Sequence, residues 1–168
     1  MALPNKVLPG FSATLYAQSG ANPTPLTVAN LSAYTNVSAI TVSGNQVNVE
    51  AIPAFGQDDA SASFAVAGSR QSDIIPTQSK PTSMTIVAAW NPSDAMLLQL
   101  RADAYAGTVD RTFVIQATDN ATTPNIVCYA FNGRVSEFKV DLAPGAEAKA
   151  TFTVHPRGNQ YGWSGNDY

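Results

Sequence analysis

The sequence predicts a mainly β fold with a single helix, and three observations carry that prediction. Apolar and polar residues alternate with a period of two along most of the chain. The period changes once, after Asn91, to a helical one, and clusters of Gly, Pro, Asn and Ser punctuate the runs. A length of 168 residues suits one domain, 1–168, with a substantial core.

Behind a Pro-bounded N-terminal arm over residues 1–10, Phe11, Ala13, Leu15 and Ala17 alternate with Ser12, Thr14 and Tyr16, which reads as a first strand. A loop with Pro23 and Pro25 and a short helix or turn near residues 28–34 follow. Residues 36–51 are strand-rich, with Val47, Val49 and Ala51 on one face and Gln46, Asn48 and Glu50 on the other. Residues 55–81 are small and polar and hold the acidic pair Asp58-Asp59; we read them as a long projecting hairpin or arm, because long loops in compact domains are usually functional. Alternation returns over residues 82–90, where Met84, Ile86, Ala88 and Trp90 oppose Ser83, Thr85, Val87 and Ala89.

The helix is expected at about residues 92–106. Asn91 serves as N-cap, Pro92 takes the first helical position and Asp94 suits the capping box and the helix dipole. Leu97, Leu100 and Ala104 form one stripe, Leu98, Arg101 and Tyr105 the next, and Gly107 supplies the C-terminal cap. Strands are expected over residues 109–117, 125–131, 134–142 and 147–154, the last two joined by an Ala143-Pro144-Gly145 turn. Asn132-Gly133 reads equally as a two-residue hairpin turn or a bulge within one long strand. For the last two strands, a register pairing Glu137 with Lys149 and Lys139 with Glu147 avoids opposed lysines. The tail, residues 155–168, is rich in Gly, Asn and aromatics without periodicity.

Composition narrows the function. Hydrophobic residues make up 45% of the chain but charged ones only 12%, against a norm of roughly 25%. The surface is therefore polar but weakly charged, and the pattern fits neither disorder nor a membrane span. Nine basic and 12 acidic residues give a net charge of -3 with no basic run, which disfavours gripping nucleic acid through its phosphates. The N-terminus lacks the apolar core of a signal peptide, so assembly in the cytoplasm is expected. The single cysteine, Cys128, lies in an apolar run and reads as an inert buried thiol. The single histidine, His155, reads as a surface residue; it builds neither a multi-histidine metal site nor a triad. Asp58-Asp59 lacks the spacing of a calcium loop, no glycine-rich phosphate loop is present, and Trp90 lies on the apolar face of its strand. No catalytic residues, cofactor or metal are expected. What remains is the parts list of a subunit that interlocks with copies of itself.

The order of elements resembles a known family. Residues 84–92 (MTIVAAWNP), the short helix ending at Gly107, Phe113-Val114-Ile115, residues 131–138 (FNGRVSEF) and residues 150–158 (ATFTVHPRG) together resemble the major tail protein, or tail tube protein, of long non-contractile phage tails, over roughly residues 36–158. The resemblance implies an antiparallel β-sandwich or barrel with one flanking helix, a long projecting loop and extended terminal arms. It also implies hexameric rings that stack into a tube holding the tape-measure protein, ended by terminator and tip proteins, and later conducting DNA. Residues 55–81 would then be the inter-ring loop, with Asp58, Asp59, Arg70, Asp73 and Lys80 as its salt-bridging positions. Asn132-Gly133 would lie within one long strand. The location would be the virion.

A lumen that conducts DNA must not grip phosphates, so its lining should be polar and neutral or net negative. The polar strand faces supply the positions expected there: Gln46, Asn48, Glu50, Ser83 and Thr85, with Glu137 and Lys139. A carbohydrate-binding or adhesin-like β-sandwich, or a virion decoration module, is the alternative, and it would expose Trp and Tyr on one concave face.

Overall fold

The computed structural model describes residues 12–20, 46–54, 57–65, 72–118 and 126–164. In chain order the elements are β1 (Ser12–Ala17), β2 (Gln46–Val47), β3 (Gln57–Ala65), β4 (Ser72–Pro81), β5 (Met84–Ala89), α1 (Ala95–Ala106), β6 (Asp110–Thr118), β7 (Ile126–Asp141) and β8 (Lys149–Ser164). Six strands form one antiparallel sheet in the order β2-β1-β6-β7-β8-β5, while β3 and β4 make a separate two-stranded sheet. The expectation of a mainly β chain with one helix holds among the described residues.

Among the described residues the two edges of the large sheet are bridged at one place. β2 pairs with β1 through Leu15 and Val47, and two residues later Val49 bridges Ala88 of β5. Ala89 N–H donates to Asn48 O and Glu50 N–H to Val87 O, each at 2.9 Å. One short segment thus joins the first and last strands, satisfying edge groups that would otherwise invite pairing with another chain.

Alternation sets which face looks inward. Leu15 and Ala17 of β1, Met84, Ile86 and Ala88 of β5, Phe113 and Ile115 of β6, and Phe152 and Val154 of β8 are all buried in one core. Phe113 stacks on Phe131, and Phe138 stacks on Phe152 while meeting Trp90 edge-on at 6.0 Å. Trp90 is therefore a packing residue, as its place on the apolar face suggested. Met96, Leu97 and Leu100 turn one side of α1 into the same core, and the helix packs against β7 and β2.

Three local expectations are corrected. The N-cap is Asp94, not Asn91: the Asp94 carboxylate accepts from Met96 N–H at 2.9 Å and Leu97 N–H at 3.2 Å, so the helix begins at Ala95. Asn91 instead closes the preceding turn, its side-chain oxygen accepting from Ser93 N–H. Gly107 is the C-cap, in the left-handed region at φ 66°. Second, the expected register of β7 and β8 does not occur: Asp141 opposes Lys149, Lys139 opposes Thr151, and Glu147 lies in the connecting turn. The longer connection is the cause: residues 142–148 separate the paired strands where a turn at Ala143-Pro144-Gly145 was expected, and farther from the turn a bulge changes the offset by one residue. Between Ser136 and Lys139, β7 advances three residues against two in β8, with Glu137 at φ 56°. Third, β8 does not end near Val154 but continues to Ser164 beside β7, so much of the expected tail is strand.

Asn132 and Gly133 lie inside β7, as the tail-tube resemblance implied, and not in a hairpin turn. The ladder is irregular beside them: Phe131 opposes Gln160 while Asn132 opposes Arg157. Gly133 is there for space. A Cβ at this position would lie 2.7 Å from Val154 Cγ1 and 3.1 Å from the Phe113 ring.

Candidate assembly surfaces

The polar face of β5, β8 and β7 is where several residues expected to line a lumen meet. Directly opposed residues share a face, so Thr85, Thr153 and Ser136 form one row across the three strands. Thr153 Oγ1 donates to Glu137 Oε2 at 3.2 Å and lies 3.5 Å from Thr85 Oγ1, which joins two of the expected positions through a third residue. Ser83 is linked to β7 in a similar way. Its Oγ lies 3.0 Å from His155 Nδ1, and Ser136 Oγ lies 2.7 Å from His155 Nε2. A neutral imidazole has one donor and one acceptor nitrogen, and two freely rotating hydroxyls satisfy either tautomer. His155 is exposed, in keeping with its reading as a surface residue.

The other expected positions do not join this row. Gln46 and Asn48 are exposed on the segment that closes the sheet, and Lys139 is exposed opposite Thr151. Glu50 pairs with Lys149 of β8. That carboxylate, by hydrogen bond and charge, holds the Lys149 ammonium above the ordinary lysine value of 10.5, and Glu147 and Asp141 add to the effect.

Of the residues assigned to the long loop, Asp58 stands directly opposite Lys80, Asp59 opposite Ser79, and Asp73 opposite Phe64 in the β3–β4 ladder. Arg70 lies outside the described residues. The segment is a hairpin with its own sheet, one of the two forms expected for it.

Two ion-pair clusters were not anticipated from the sequence. Arg111 is buried and its Nε donates to Asp103 Oδ2 at 2.7 Å. Asp110 accepts from Arg134 Nε at 2.8 Å and has Arg157 Nη1 at 3.5 Å. A signal for the first was present: Asp103 continues the buried stripe of Met96 and Leu100, and Arg111 alternates in phase with Phe113 and Ile115. A charge at such a position needs a counter-charge. The second pairs residues distant in sequence and had no local signal.

Among the described residues, no three His, Cys, Asp or Glu side chains are grouped to share a metal ion, and no helix is long and apolar enough to cross a membrane. The Cys128 side chain lies outside the described residues; its backbone stands between Gln116 of β6 and Trp163 of β8.

No family model matches the sequence, and no curated protein does. Solved structures do match. A chain of the cryo-EM structure of an extracellular contractile injection system, the PVC sheath/tube terminator in its extended state, superposes with a TM-score of 0.66 at 10% identity, covering 96% of this chain and 99% of that one. A chain of the six-fold symmetrised anti-feeding prophage baseplate gives 0.63 at 12% identity, covering 97% of each. The SPP1 tail tube gives 0.52 at 10% identity, covering 89% of this chain and 75% of that one. The chain has a tail-tube-like fold. This tail-tube-like fold occurs in contractile injection systems as well as in a phage tail tube, so it does not single out the long non-contractile tails of the sequence resemblance.

Proposed function

We propose that the chain is a structural subunit, not an enzyme, that assembles with itself into stacked hexameric rings forming a phage tail tube, the virion conduit for DNA delivery. The observation that carries this reading is the fold likeness over nearly the whole chain to chains of tube-bearing assemblies, one of them solved with six-fold symmetry. The polar row on β5, β8 and β7 supports it, because Ser83, Thr85 and Ser136 present uncharged hydroxyls that do not grip a phosphate backbone. In this reading the polar face lines the lumen, the β3–β4 hairpin contacts the neighbouring ring, and tape-measure, terminator and tip proteins are the further partners. DNA passes without specific binding.

The test is negative-stain imaging of the purified full-length chain over a range of concentrations. Tubes or six-fold rings are expected, and a strictly monodisperse monomer at every concentration would overturn the reading.

A further inference from the structure

The solvent side of α1 is unlike that of an ordinary surface helix. Its exposed residues are Ala95, Leu98, Arg101, Ala102, Tyr105 and Ala106, and of these only Arg101 is charged. A helix that borders water normally carries its charged and polar residues there. Leu98 is 41% exposed and Tyr105 72%, two turns apart on one strip, and the Arg101 guanidinium lies 5.7 Å from the centroid of the Tyr105 ring. Among the described residues no carboxylate pairs with Arg101. The opposite stripe, with Met96, Leu97 and Leu100, already fills the core. A helix that is apolar on both sides is suited to burial between molecules.

The turn between β7 and β8 has the complementary character. Residues 141–147 are all exposed, Leu142 to 67%, and Asp141 and Glu147 bracket the run Leu142-Ala143-Pro144. Lys149 is ion-paired with Glu50, stands opposite Asp141 and lies in the field of Glu147, so three carboxylates face one ammonium, a formal excess of two negative charges. The turn is also held in shape. Ala146 N–H donates to Ala143 O at 3.2 Å, Gly145 sits at φ 79°, and at the base Trp90 N–H donates to Ala148 O at 2.8 Å. A surface fixed in this way loses little freedom on docking.

Leu98, Tyr105 and Leu142 all stay exposed, so within one molecule the two patches do not cover each other. A second copy brings them together, apolar strip on apolar turn and Arg101 on the unbalanced carboxylates. Tyrosine and arginine are the residue types that most often anchor such contacts. A nucleic acid would find one cation on the helix and be repelled by the turn. The contact uses a different patch on each partner, and so it propagates instead of closing as a dimer.

We infer that the β7–β8 turn of one copy docks on the outer face of α1 in the next, Leu142 meeting the Leu98–Tyr105 strip and the carboxylates of the turn meeting Arg101. The inference rests on the self-assembly proposed above and names the surfaces through which copies meet.

Substitutions at exposed positions test it on the full-length chain. The variants are Arg101→Glu, Glu147→Arg, the two combined, and Leu142→Ser, with circular-dichroism melts confirming that each is folded. The readout is the critical concentration for sedimentable assembly, at low ionic strength and at about 1 M salt, where screening acts within about 3 Å. Each single charge reversal sets like charges across the contact and is expected to raise the low-salt critical concentration about tenfold, with the difference fading at high salt. The double reversal restores opposite signs and is expected to assemble near the wild-type concentration. Leu142→Ser is expected to raise the critical concentration at both salt concentrations, because its contribution is apolar. Single variants that assemble like wild type, or a double reversal no better than the single ones, would overturn the inference and leave the tube reading standing. A wild-type chain that never assembles would overturn both.

Discussion

Arg111 and Asp103 form a buried ion pair that ties α1 to β6: Arg111 Nε and Nη2 both lie 2.7 Å from Asp103 Oδ2, with side chains only 1% and 9% exposed. The same guanidinium donates from Nη1 to the backbone carbonyls of Gln18 and Gly20, just beyond β1. The Gly20 N–H in turn donates to the Gln99 side chain of α1. One side chain therefore fixes three pieces of chain at the end of the helix. Removing a single partner strands a charge out of water, so Arg111→Met should cost about 3–5 kcal/mol in urea unfolding. Arg111→Met combined with Asp103→Leu should recover part of that loss, because neither charge is then left alone. Strictly additive costs in the double-mutant cycle would show that the pair is not the coupled unit described here.

Gly133 supports a second prediction, because its missing side chain is what lets β7 pass close to Val154 and Phe113. The contact of 2.7 Å that a Cβ would make with Val154 Cγ1 requires a shift in a close-packed core. Gly133→Ala should destabilise by about 1–3 kcal/mol. In a Val154→Ala background the same substitution should cost less, since the clashing methyl is gone. An equal cost in both backgrounds, measured by thermal or urea unfolding, would assign the penalty to the backbone instead.

How much of this was legible in the sequence depends on how local its cause is. The alternation of Met84, Ile86 and Ala88 and the capping glycine at 107 act within a few residues, and the strand and the helix end appear where the pattern puts them. The N-cap was displaced because Asn91 and Asp94 are both good caps, and only the turn geometry decides which one faces the free N–H groups. The β7–β8 register was not legible, since the strands are joined over residues 142–148 and not by a tight turn at 143–145, and no charge pattern announces that length. The extension of β8 to Ser164 depends on pairing with residues 127–131 of β7, at the part of their hairpin farthest from the turn. The Asp110, Arg134 and Arg157 cluster is likewise a product of topology.

Lys149 gives a pH-dependent prediction. Its ammonium is held above the ordinary lysine value of 10.5 first by Glu50, through hydrogen bond and charge. A raised folded-state pKa means that the pair's stabilisation is complete below the unfolded value and is lost as pH rises through the folded one. Wild type should therefore exceed Glu50→Gln in stability at neutral pH by a small margin, the pair being exposed, and the gap should close as pH climbs past 10.5. Melting temperatures of both proteins across the alkaline range check this. A gap that persists unchanged would show that Glu50 acts through packing and not through the lysine.

The β3–β4 hairpin separates folding from assembly. It forms its own two-stranded sheet, and its base is narrow because Gln57 and Pro81 are direct ladder partners. Partners in an antiparallel ladder have Cα atoms about 4.5–5.5 Å apart, so a short Gly-Ser link spans the base without disturbing the six-stranded sheet. Deleting residues 58–80 in this way should leave a soluble, folded chain with a cooperative melt, because the buried core is drawn from β1, β2, β5 to β8 and α1. If the hairpin makes the ring-to-ring contact, that folded chain forms no tubes in negative stain, and isolated rings are the largest species seen. Tubes of normal length from the deleted chain would exclude the hairpin from stacking.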